Sequence, residues 1–496
     1  MLNIEDIFHW EHIRYEECIE NLATLNQKEI LISNEQRKRI QESFYRFLEL
    51  EKIQKIYGIH TGLGPFVKFD NQMSSVEFLD HLIVGTGNPI PEEVIEYSLL
   101  FRVLTMSRGF SGVRTEFLDF ILFYYHHKAF PVVFERGSLG ASGDLIPLAM
   151  ILNSLIGRSK SFIKKNNKIY PSKKFIKKFQ IKVLELHKKE VLSFINGISV
   201  SKAYFFFSLY RFFELLKIIH ELFLLNYILL NANEEHFDNE LLKLNRFMHH
   251  DLIKEKDELW RFYKHQISLD FPRPLQEIYS LRCGYQILGA VWEQFQHVAT
   301  SFQKELFSID DNPLIIRDRV VHGGNFFGQN LAFLSDQLNL LMVQLGVWIE
   351  RLMKTLLYPD INPITFLGSH EPKESFGLAG LELLSSSLIA ELRAKGNFHS
   401  TYSVPTNGGN QDIVPMANLS VRKTYQQLDL LLDLVISYFI VILNFNQLLS
   451  KTHSQKVTHF SFRVNQYFSY IIKHFGSENL SHLIQKVKRK FYQITS

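Results

Sequence analysis

The 496-residue sequence predicts a mainly α-helical protein, with long helices packed as a bundle and a smaller N-terminal region of mixed structure. Three observations predict this fold class. Proline is scarce, at 14 residues in the whole chain. Apolar residues recur near every 3.6 positions over long stretches, and alternating strand patterns are few. A composition that is 46% apolar and 14% aromatic provides enough apolar surface for a large core.

Residues 1–200 are predicted to combine shorter helices with Gly-rich loops. The clearest strand pattern is "SFIKKNNKIYPS" at 161–172, which favours a basic hairpin. Lysine and arginine residues cluster between positions 158 and 178. Nucleic-acid contact is one interpretation of this cluster. Because it has little aromatic interleaving, a solvated loop is the prediction.

Residues 200–496 are predicted to form the central long-helix bundle and the C-terminal helices. The longest helical patterns cover 200–232, 331–357 and 422–451. Helices that are apolar on nearly all sides must be buried in a bundle or an oligomer. With no internal repeat or linker, the chain is expected to form one tightly joined unit. The 200–232 helix carries one polar stripe, formed by Arg211, Glu214, Lys217 and Glu221.

Charge and cysteine content narrow the function classes. A net charge of +4 does not indicate a nucleic-acid or membrane partner. The apolar run at 434–443 is too short to span a bilayer, and the acidic N-terminus lacks the apolar segment of a secretory signal. A cytoplasmic location is therefore expected. Cys18 and Cys283 are far apart in sequence, which predicts two free thiols and no cysteine metal site.

The most informative stretch is "RGSLGASGDLIPLA" at 136–149. Gly143 has no side chain, so its amide nitrogen can approach and attack the carbonyl carbon of Ala141 with loss of water. Loss of the Ser142 hydroxyl as a second water leaves a five-membered ring with an electron-poor exocyclic methylene. Standard side chains provide no such electrophile. The alternative is a helix start with Ser142 as the N-cap and Asp144 in the first turn.

Further Gly-rich and polar blocks occur in a fixed order along the chain. Together with 136–149 they resemble the aromatic amino acid ammonia-lyases, which are the histidine, phenylalanine and tyrosine lyases and the related aminomutases. The bacterial tyrosine lyases are the most similar. The resemblance implies a fumarase/aspartase-like helix bundle. The blocks are "YGIHTGLGPF" (57–66), "FINGISVSKA" (194–203), "QEIYSLRCGYQILG" (276–289), "SIDDNPLI" (308–315), "HGGNFFGQN" (322–330) and "PTNGGNQDIV" (405–414).

The resemblance implies a prosthetic group and a set of roles. The group is 4-methylidene-imidazol-5-one, made from Ala141-Ser142-Gly143 with no added cofactor and no metal. Tyr57 matches the base that removes the β-proton, which requires its pKa to be lowered. Arg282 matches the residue that binds the substrate carboxylate through two parallel hydrogen bonds. Tyr279 and Asn196 match residues near the ring, Phe326 a ring-supporting aromatic, and Asn325, Gly64 and Asn407 residues at the substrate.

Two positions indicate substrate selectivity within this family. At one pair of positions, phenylalanine lyases carry a pair similar to Phe-Leu, histidine lyases carry Ser-His, and one group of tyrosine lyases carries His-Leu. This chain has His81-Leu82, and a neutral imidazole can hydrogen-bond a phenol. Gln411 stands where histidine lyases have Glu. Both positions favour an aromatic substrate, L-tyrosine, over histidine.

The chain departs from the family pattern at four positions beside the expected site. His60 replaces Asn or Thr, Leu63 replaces Phe, Ile198 replaces Thr, and Pro415 replaces Ser. These substitutions affect the expected rate and substrate range more than the reaction class.

The sequence therefore predicts a lyase that converts L-tyrosine to trans-4-hydroxycinnamate, a phenylpropanoid acid, and ammonia. The resemblance implies a homotetramer in which each active site uses loops from three subunits. Three alternatives stay open. They are a tyrosine 2,3-aminomutase, a histidine or phenylalanine ammonia-lyase, and a degenerate member with a structural or binding role.

Overall fold

The structure, a computed structural model, describes residues 1–246, 248–269, 274–362 and 364–495. Long helices dominate it, as the spacing of apolar residues predicts. In chain order the helices are α1 (Ile4–Phe8), α2 (Tyr15–Ala23), α3 (Asn34–Glu51), α4 (Glu92–Ser107), α5 (Thr115–His126), α6 (Leu145–Leu155), α7 (Ser172–Lys178), α8 (Lys188–Ile195), α9 (Ser199–Leu229), α10 (Asn239–Leu244), α11 (His250–Lys264), α12 (Tyr279–Arg282), α13 (Gly284–Phe307), α14 (Gln329–Leu357), α15 (Ala379–Lys395), α16 (Ala417–His453), α17 (Phe462–His474) and α18 (Leu480–Ile494).

The strands are short and form small separate sheets. They are β1 (Leu2–Asn3), β2 (Ile30–Leu31), β3 (Thr86–Pro89), β4 (Phe130–Pro131), β5 (Phe134–Arg136), β6 (Phe162–Lys165), β7 (Lys168–Pro171), β8 (Leu314–Ile316) and β9 (Arg319–Val321). β1 pairs with β2 in parallel, whereas β3–β5, β4–β6–β7 and β8–β9 are antiparallel. The β6–β7 hairpin confirms the strand prediction at 161–172.

The basic cluster lies on this hairpin and on α7, so most of it is regular structure where the sequence analysis predicted a loop. The lysines are solvated as expected, since Lys168, Lys173 and Lys177 are exposed. Lys164 is paired with Glu92. The turn at Asn166–Asn167, in which both residues have a positive φ, accounts for the hairpin.

The chain divides into two compact units. Unit one comprises residues 1–207, 300–336 and 398–423, and unit two comprises 208–299, 337–397 and 424–496. These units differ from the two consecutive regions expected from the sequence, because the chain returns to unit one twice after residue 207. Each long helix α9, α13, α14 and α16 contributes residues to both units.

The polar stripe of α9 is buried within unit two. Arg211 and Glu221 are 1% and 0% exposed. Glu221 accepts a hydrogen bond from the Tyr263 hydroxyl at 2.5 Å, and Glu214 accepts one from Tyr467 at 2.8 Å. The stripe therefore faces tyrosines of the neighbouring helices, each of which donates a hydrogen bond to one of its carboxylates.

Two helices, α14 and α16, are long and apolar enough to cross a membrane by length and composition. The most apolar window of each is 67% and 78% buried inside the protein. Burial of this extent is typical of core helices, for which protein neighbours take the place of lipid. Cys18 and Cys283 are both free thiols, as predicted.

A group of buried charges lies in unit one behind the link between α8 and α9. The Arg102 guanidinium contacts the Asp310 carboxylate at 2.8 Å, and the Lys202 ammonium contacts the same carboxylate at 3.1 Å. Asp310 also accepts the backbone N–H of Ile198 at 3.1 Å, which fixes the start of α9. Arg102 packs so closely on Gly197 that a Cβ at that position would lie 1.5 Å from the guanidinium.

Gly197→Ala is expected to destabilise the protein by about 3–5 kcal/mol, because the new methyl displaces Arg102 from a buried ion pair. Chemical unfolding followed by circular dichroism would measure the loss. Gly380→Ala is the matched control, since a Cβ at Gly380 meets nothing within 4 Å. Equal stability of the two variants would contradict the packing argument.

A pH effect is expected from Lys189, which is fully buried and 3.8 Å from Asp311. Burial lowers the pKa of the Lys189 ammonium to about 8. At pH values between about 8 and about 10.4, the Lys189 side chain holds a proton in the unfolded chain that it lacks in the folded chain. The free energy of unfolding should therefore gain about 3 kcal/mol from this group as pH rises through that window.

Lys189→Met should remove this gain, and urea unfolding between pH 8 and 10.5 would measure it. The exposed Lys173→Met should keep the wild-type slope. Parallel pH slopes for the two variants would rule out the assignment.

Candidate active site

A cavity within unit one collects seven of the fourteen site residues predicted from the sequence. No charged side chain is among the described residues that line it. The carboxamide and aromatic side chains that line it come from separate parts of the chain, at position 57, at position 196, within 312–326 and within 407–411. The lining residues are Tyr57, Leu63, Gly64, Ser142, Leu145, Leu192, Asn196, Asn312, His322, Gly323, Phe326, Asn407, Asn410 and Gln411.

The Ala-Ser-Gly stretch forms the tight loop that precedes α6. Gly143 has φ +70°, and a Cβ there would lie 2.4 Å from the Gly197 carbonyl oxygen. Only glycine fits this position, because both the backbone conformation and the close neighbour exclude a side chain. Ala141 is 6% exposed, whereas Ser142 is half-buried and faces the cavity.

Asp144 holds this loop against the start of α9. Its carboxylate is fully buried and accepts hydrogen bonds from Ser138 Oγ at 2.9 Å, Ser201 N at 2.7 Å and Asn418 Nδ2 at 3.2 Å. Burial raises the pKa of this carboxyl, and the hydrogen bonds oppose the shift. The Ser201 contact makes Asp144 a cap for α9, where a negative charge is favourable.

The helix-cap alternative for Ser142 is wrong, because its hydroxyl does not bond to the first turn of α6. Ser142 Oγ instead accepts a hydrogen bond from Gln411 Nε2 at 2.7 Å, and the Ser142 carbonyl accepts one from Asn196 Nδ2 at 2.8 Å. Asn196 follows the end of α8, and α9 begins at Ser199. Two of the predicted site residues therefore contact the serine directly.

Tyr57 lies across the same cavity. Its hydroxyl oxygen accepts a hydrogen bond from the Gly64 N–H at 2.8 Å. Burial raises the pKa of the Tyr57 phenol, and the Gly64 hydrogen bond opposes that shift. In the single chain the phenol is thus held in its protonated form, opposite to the lowered pKa that the base role requires.

Phe326 and Asn407 line the cavity as expected, whereas Asn325 does not. Asn325 is exposed, and its Nδ2 donates to the Ile309 carbonyl at 3.1 Å. This hydrogen bond turns the carboxamide away from Ser142 and ties the loop to the segment that precedes β8.

His81 and Leu82 lie on a short 3₁₀ helix at Glu77–Leu82 and point in different directions. Leu82 is buried and lines a second cavity with Ala141 and Ser142. His81 lines a third cavity with Phe66 and Phe69, and it does not line the cavity of Tyr57. His81 is exposed overall, but partial burial lowers the pKa of its imidazole, which favours the neutral form.

Tyr279 and Arg282 lie in unit two, on the single turn α12. Tyr279 is 69% exposed and Arg282 is also exposed. Neither side chain is among those that line the cavity of Ser142 and Tyr57.

The four departures from the family pattern are accommodated in different ways. His60 Nδ1 accepts the Ile56 N–H at 2.9 Å and so closes the turn that carries Tyr57. Leu63 lines the cavity, and Ile198 is buried with its N–H on Asp310. Nothing in the structure explains Pro415.

Besides Leu63, six lining residues were not predicted as site residues: Leu145, Leu192, Asn312, His322, Gly323 and Asn410. Five of them lie within sequence blocks that had already been noted, and only Leu192 lies outside. Among the described residues, no group of three or more His, Cys, Asp or Glu side chains is placed to hold a metal ion.

Comparison with known proteins supports the resemblance. A family model described as aromatic amino acid lyase matches residues 16–464. Histidine ammonia-lyase of Bacillus subtilis (strain 168) is 30% identical over 414 residues, which cover 80% of each sequence.

Solved structures resemble this chain over nearly its whole length. Tyrosine aminomutase from Streptomyces globisporus has a TM-score of 0.86 at 23% identity, with 99% of this chain and 97% of that chain covered. Histidine ammonia-lyase from Trypanosoma cruzi has a TM-score of 0.81 at 20% identity, covering 96% and 91%. At these identities the likeness concerns the fold, and it confirms the predicted fold class.

Proposed function

Because the chain belongs to the aromatic amino acid lyase family, which contains ammonia-lyase enzymes, we propose that it deaminates L-tyrosine to trans-4-hydroxycinnamate and ammonia. The observation that carries this proposal is the placement of Ser142. Its hydroxyl and carbonyl are both held by side-chain amides in a cavity that also contains the Tyr57 phenol.

The residues fit the family's prosthetic group, 4-methylidene-imidazol-5-one. Gly143 has no room for a side chain, Asn196 holds the Ser142 carbonyl, and Ala141 is buried beside them. Formed from Ala141, Ser142 and Gly143, the group would supply an electrophilic methylene for the substrate amine. Gln411 and Asn196, which donate to the Ser142 hydroxyl and carbonyl, would orient this residue before and after the group forms.

Tyr57 is the proposed base for the β-proton of the substrate. The Gly64 N–H stabilises the phenolate form and holds the oxygen in place, although burial outweighs it in the single chain. Positive charge near the phenol would lower its pKa. The exposed Arg282 is the proposed source, brought to the site by a neighbouring subunit of a homotetramer together with Tyr279.

The preference for tyrosine rests on His81-Leu82 and on Gln411. A neutral amide at position 411 provides no charge to pair with a cationic ring. Leu82 and Ser142 line one cavity, so the 3₁₀ helix that carries His81 borders the site. The competing candidate is histidine, because curated relatives at about 30% identity are histidine ammonia-lyases. The proposed location is the cytoplasm.

Purified protein incubated with L-tyrosine is expected to release 4-hydroxycinnamate and free ammonia, and Ser142→Ala should abolish both, since it removes the hydroxyl lost in ring formation. Intact mass should show wild type lighter by two waters, about 36 Da, and the variant without this loss. Ser159→Ala, at an exposed position, is the control.

Parallel incubations with L-phenylalanine and L-histidine test the substrate. If the protein prefers either of these amino acids, it is still an ammonia-lyase, but the proposal that tyrosine is its substrate is wrong. A β-amino acid in place of ammonia would identify an aminomutase. An unmodified wild-type mass, with no product, would favour a non-catalytic member.

His81→Phe is expected to shift the ratio of kcat/KM for tyrosine to that for phenylalanine by about 10–100-fold toward phenylalanine, because a polar group proposed to pair with the phenol is lost. Initial rates with each substrate would measure it. An unchanged ratio would show that His81 keeps its orientation toward the third cavity during catalysis.

A further inference from the structure

His322 lies directly beside Tyr57 in the cavity wall, one residue after β9. Its Nε2 accepts the backbone N–H of Tyr57 at 3.2 Å. The two rings meet edge to face, with centroids 6.5 Å apart and an interplanar angle of 82°. No role for this histidine follows from the reaction described above.

The hydrogen bond from Tyr57 complements a second one at the other end of the same residue. The Tyr57 hydroxyl is held by the Gly64 N–H at 2.8 Å, while its backbone is held by His322. The first contact fixes the oxygen and the second fixes the point from which the side chain extends. Misplacing a reacting group by about 1 Å can cost about 10²-fold in rate.

Only the neutral form of His322 can make this contact. To accept a hydrogen bond, Nε2 must carry a lone pair, so the proton is on Nδ1. In the imidazolium both nitrogens carry protons, and Nε2–H would then face the Tyr57 N–H as a second donor. Protonation therefore breaks the contact.

The surroundings favour the neutral form. His322 is exposed overall, but partial burial lowers the pKa of its imidazole, and no charged side chain among the described residues contributes to the shift. Asn312 and Gly323, which line the same wall, are uncharged. On the facing segment the titratable groups are the Tyr57 phenol and His60, and His60 bonds instead to the Ile56 N–H.

We propose that His322 is a positioning residue whose neutral imidazole holds the Tyr57 backbone and so places the phenol for proton removal. This inference rests on the proposed lyase function. It predicts that activity falls at acid pH when His322 is protonated, through loss of the Tyr57 contact.

Three variants of His322 test the proposal. In glutamine the amide oxygen lies about as far from the backbone as Nε2, and in asparagine about as far as Nδ1. His322→Ala and His322→Asn should lower kcat by about 10–100-fold with little change in KM. His322→Gln should restore most of kcat. Melting temperatures near the wild-type value in all three would separate positioning from folding.

The pH profile gives a readout that a purely structural role would not move. Wild-type kcat/KM should fall as pH decreases through a pKa below 6.5. In His322→Gln this acidic limb should move to lower pH or disappear, because the amide does not titrate. His12→Gln, which removes an exposed histidine of unit one, should keep the wild-type profile.

Hydrogen exchange provides a readout independent of catalysis. After correction for intrinsic exchange, the peptide spanning 56–63 should lose protection in wild type as pH falls through the same range, and His322→Gln should retain it. Wild-type kcat in His322→Ala would overturn the proposal, and so would a His322→Gln variant that keeps the wild-type acidic limb and loses protection at low pH as wild type does. If wild type shows no lyase activity, the proposed function fails and exchange alone decides whether His322 holds Tyr57.

Discussion

The buried carboxylate of Asp144 is the interaction on which the candidate site depends. It joins three parts of the chain, because it accepts hydrogen bonds from Ser138, Ser201 and Asn418. A carboxylate at 0% exposure is tolerated only with this number of donors. Its position determines where the Ala-Ser-Gly loop meets the first turn of α9. The Asp144 N–H, which donates to the Gly197 carbonyl at 2.6 Å, adds a backbone contact to the same junction.

A second buried carboxylate supports the junction from behind. Asp310 accepts the Ile198 N–H and contacts Arg102 and Lys202, so the α8–α9 link is held on both faces. Gly197 lies between the Gly143 backbone on one side and the Arg102 side chain on the other. These short distances explain why both positions are glycine, since a side chain at either one would collide with its neighbour. The buried charges determine which backbone atoms are brought together.

Periodicity was sufficient for the long helices, since the predicted 200–232 and 422–451 correspond to α9 and α16. It could not show that Asn196 ends α8, because the Asn-Gly pair suits a helix end or start. The orientation of His81 depends on which face of a 3₁₀ helix meets the core, and sequence spacing does not encode this. His322 went unnoticed because its partner is the backbone N–H of Tyr57, and a backbone contact leaves no complementary residue in the sequence.

In the proposed mechanism, the uncharged cavity leaves the role of Tyr57 as a base incomplete in one chain. An amino acid substrate brings a carboxylate, and among the described residues that line the cavity none is cationic. A buried anion without a cationic partner is strongly disfavoured. The same missing charge leaves the pKa of Tyr57 raised by burial. One arginine supplied by another copy of the chain would meet both needs, and Arg282 is exposed on a single turn of helix. Substrate binding and the activation of the base would then depend on the same assembly step, so a monomer would lack both.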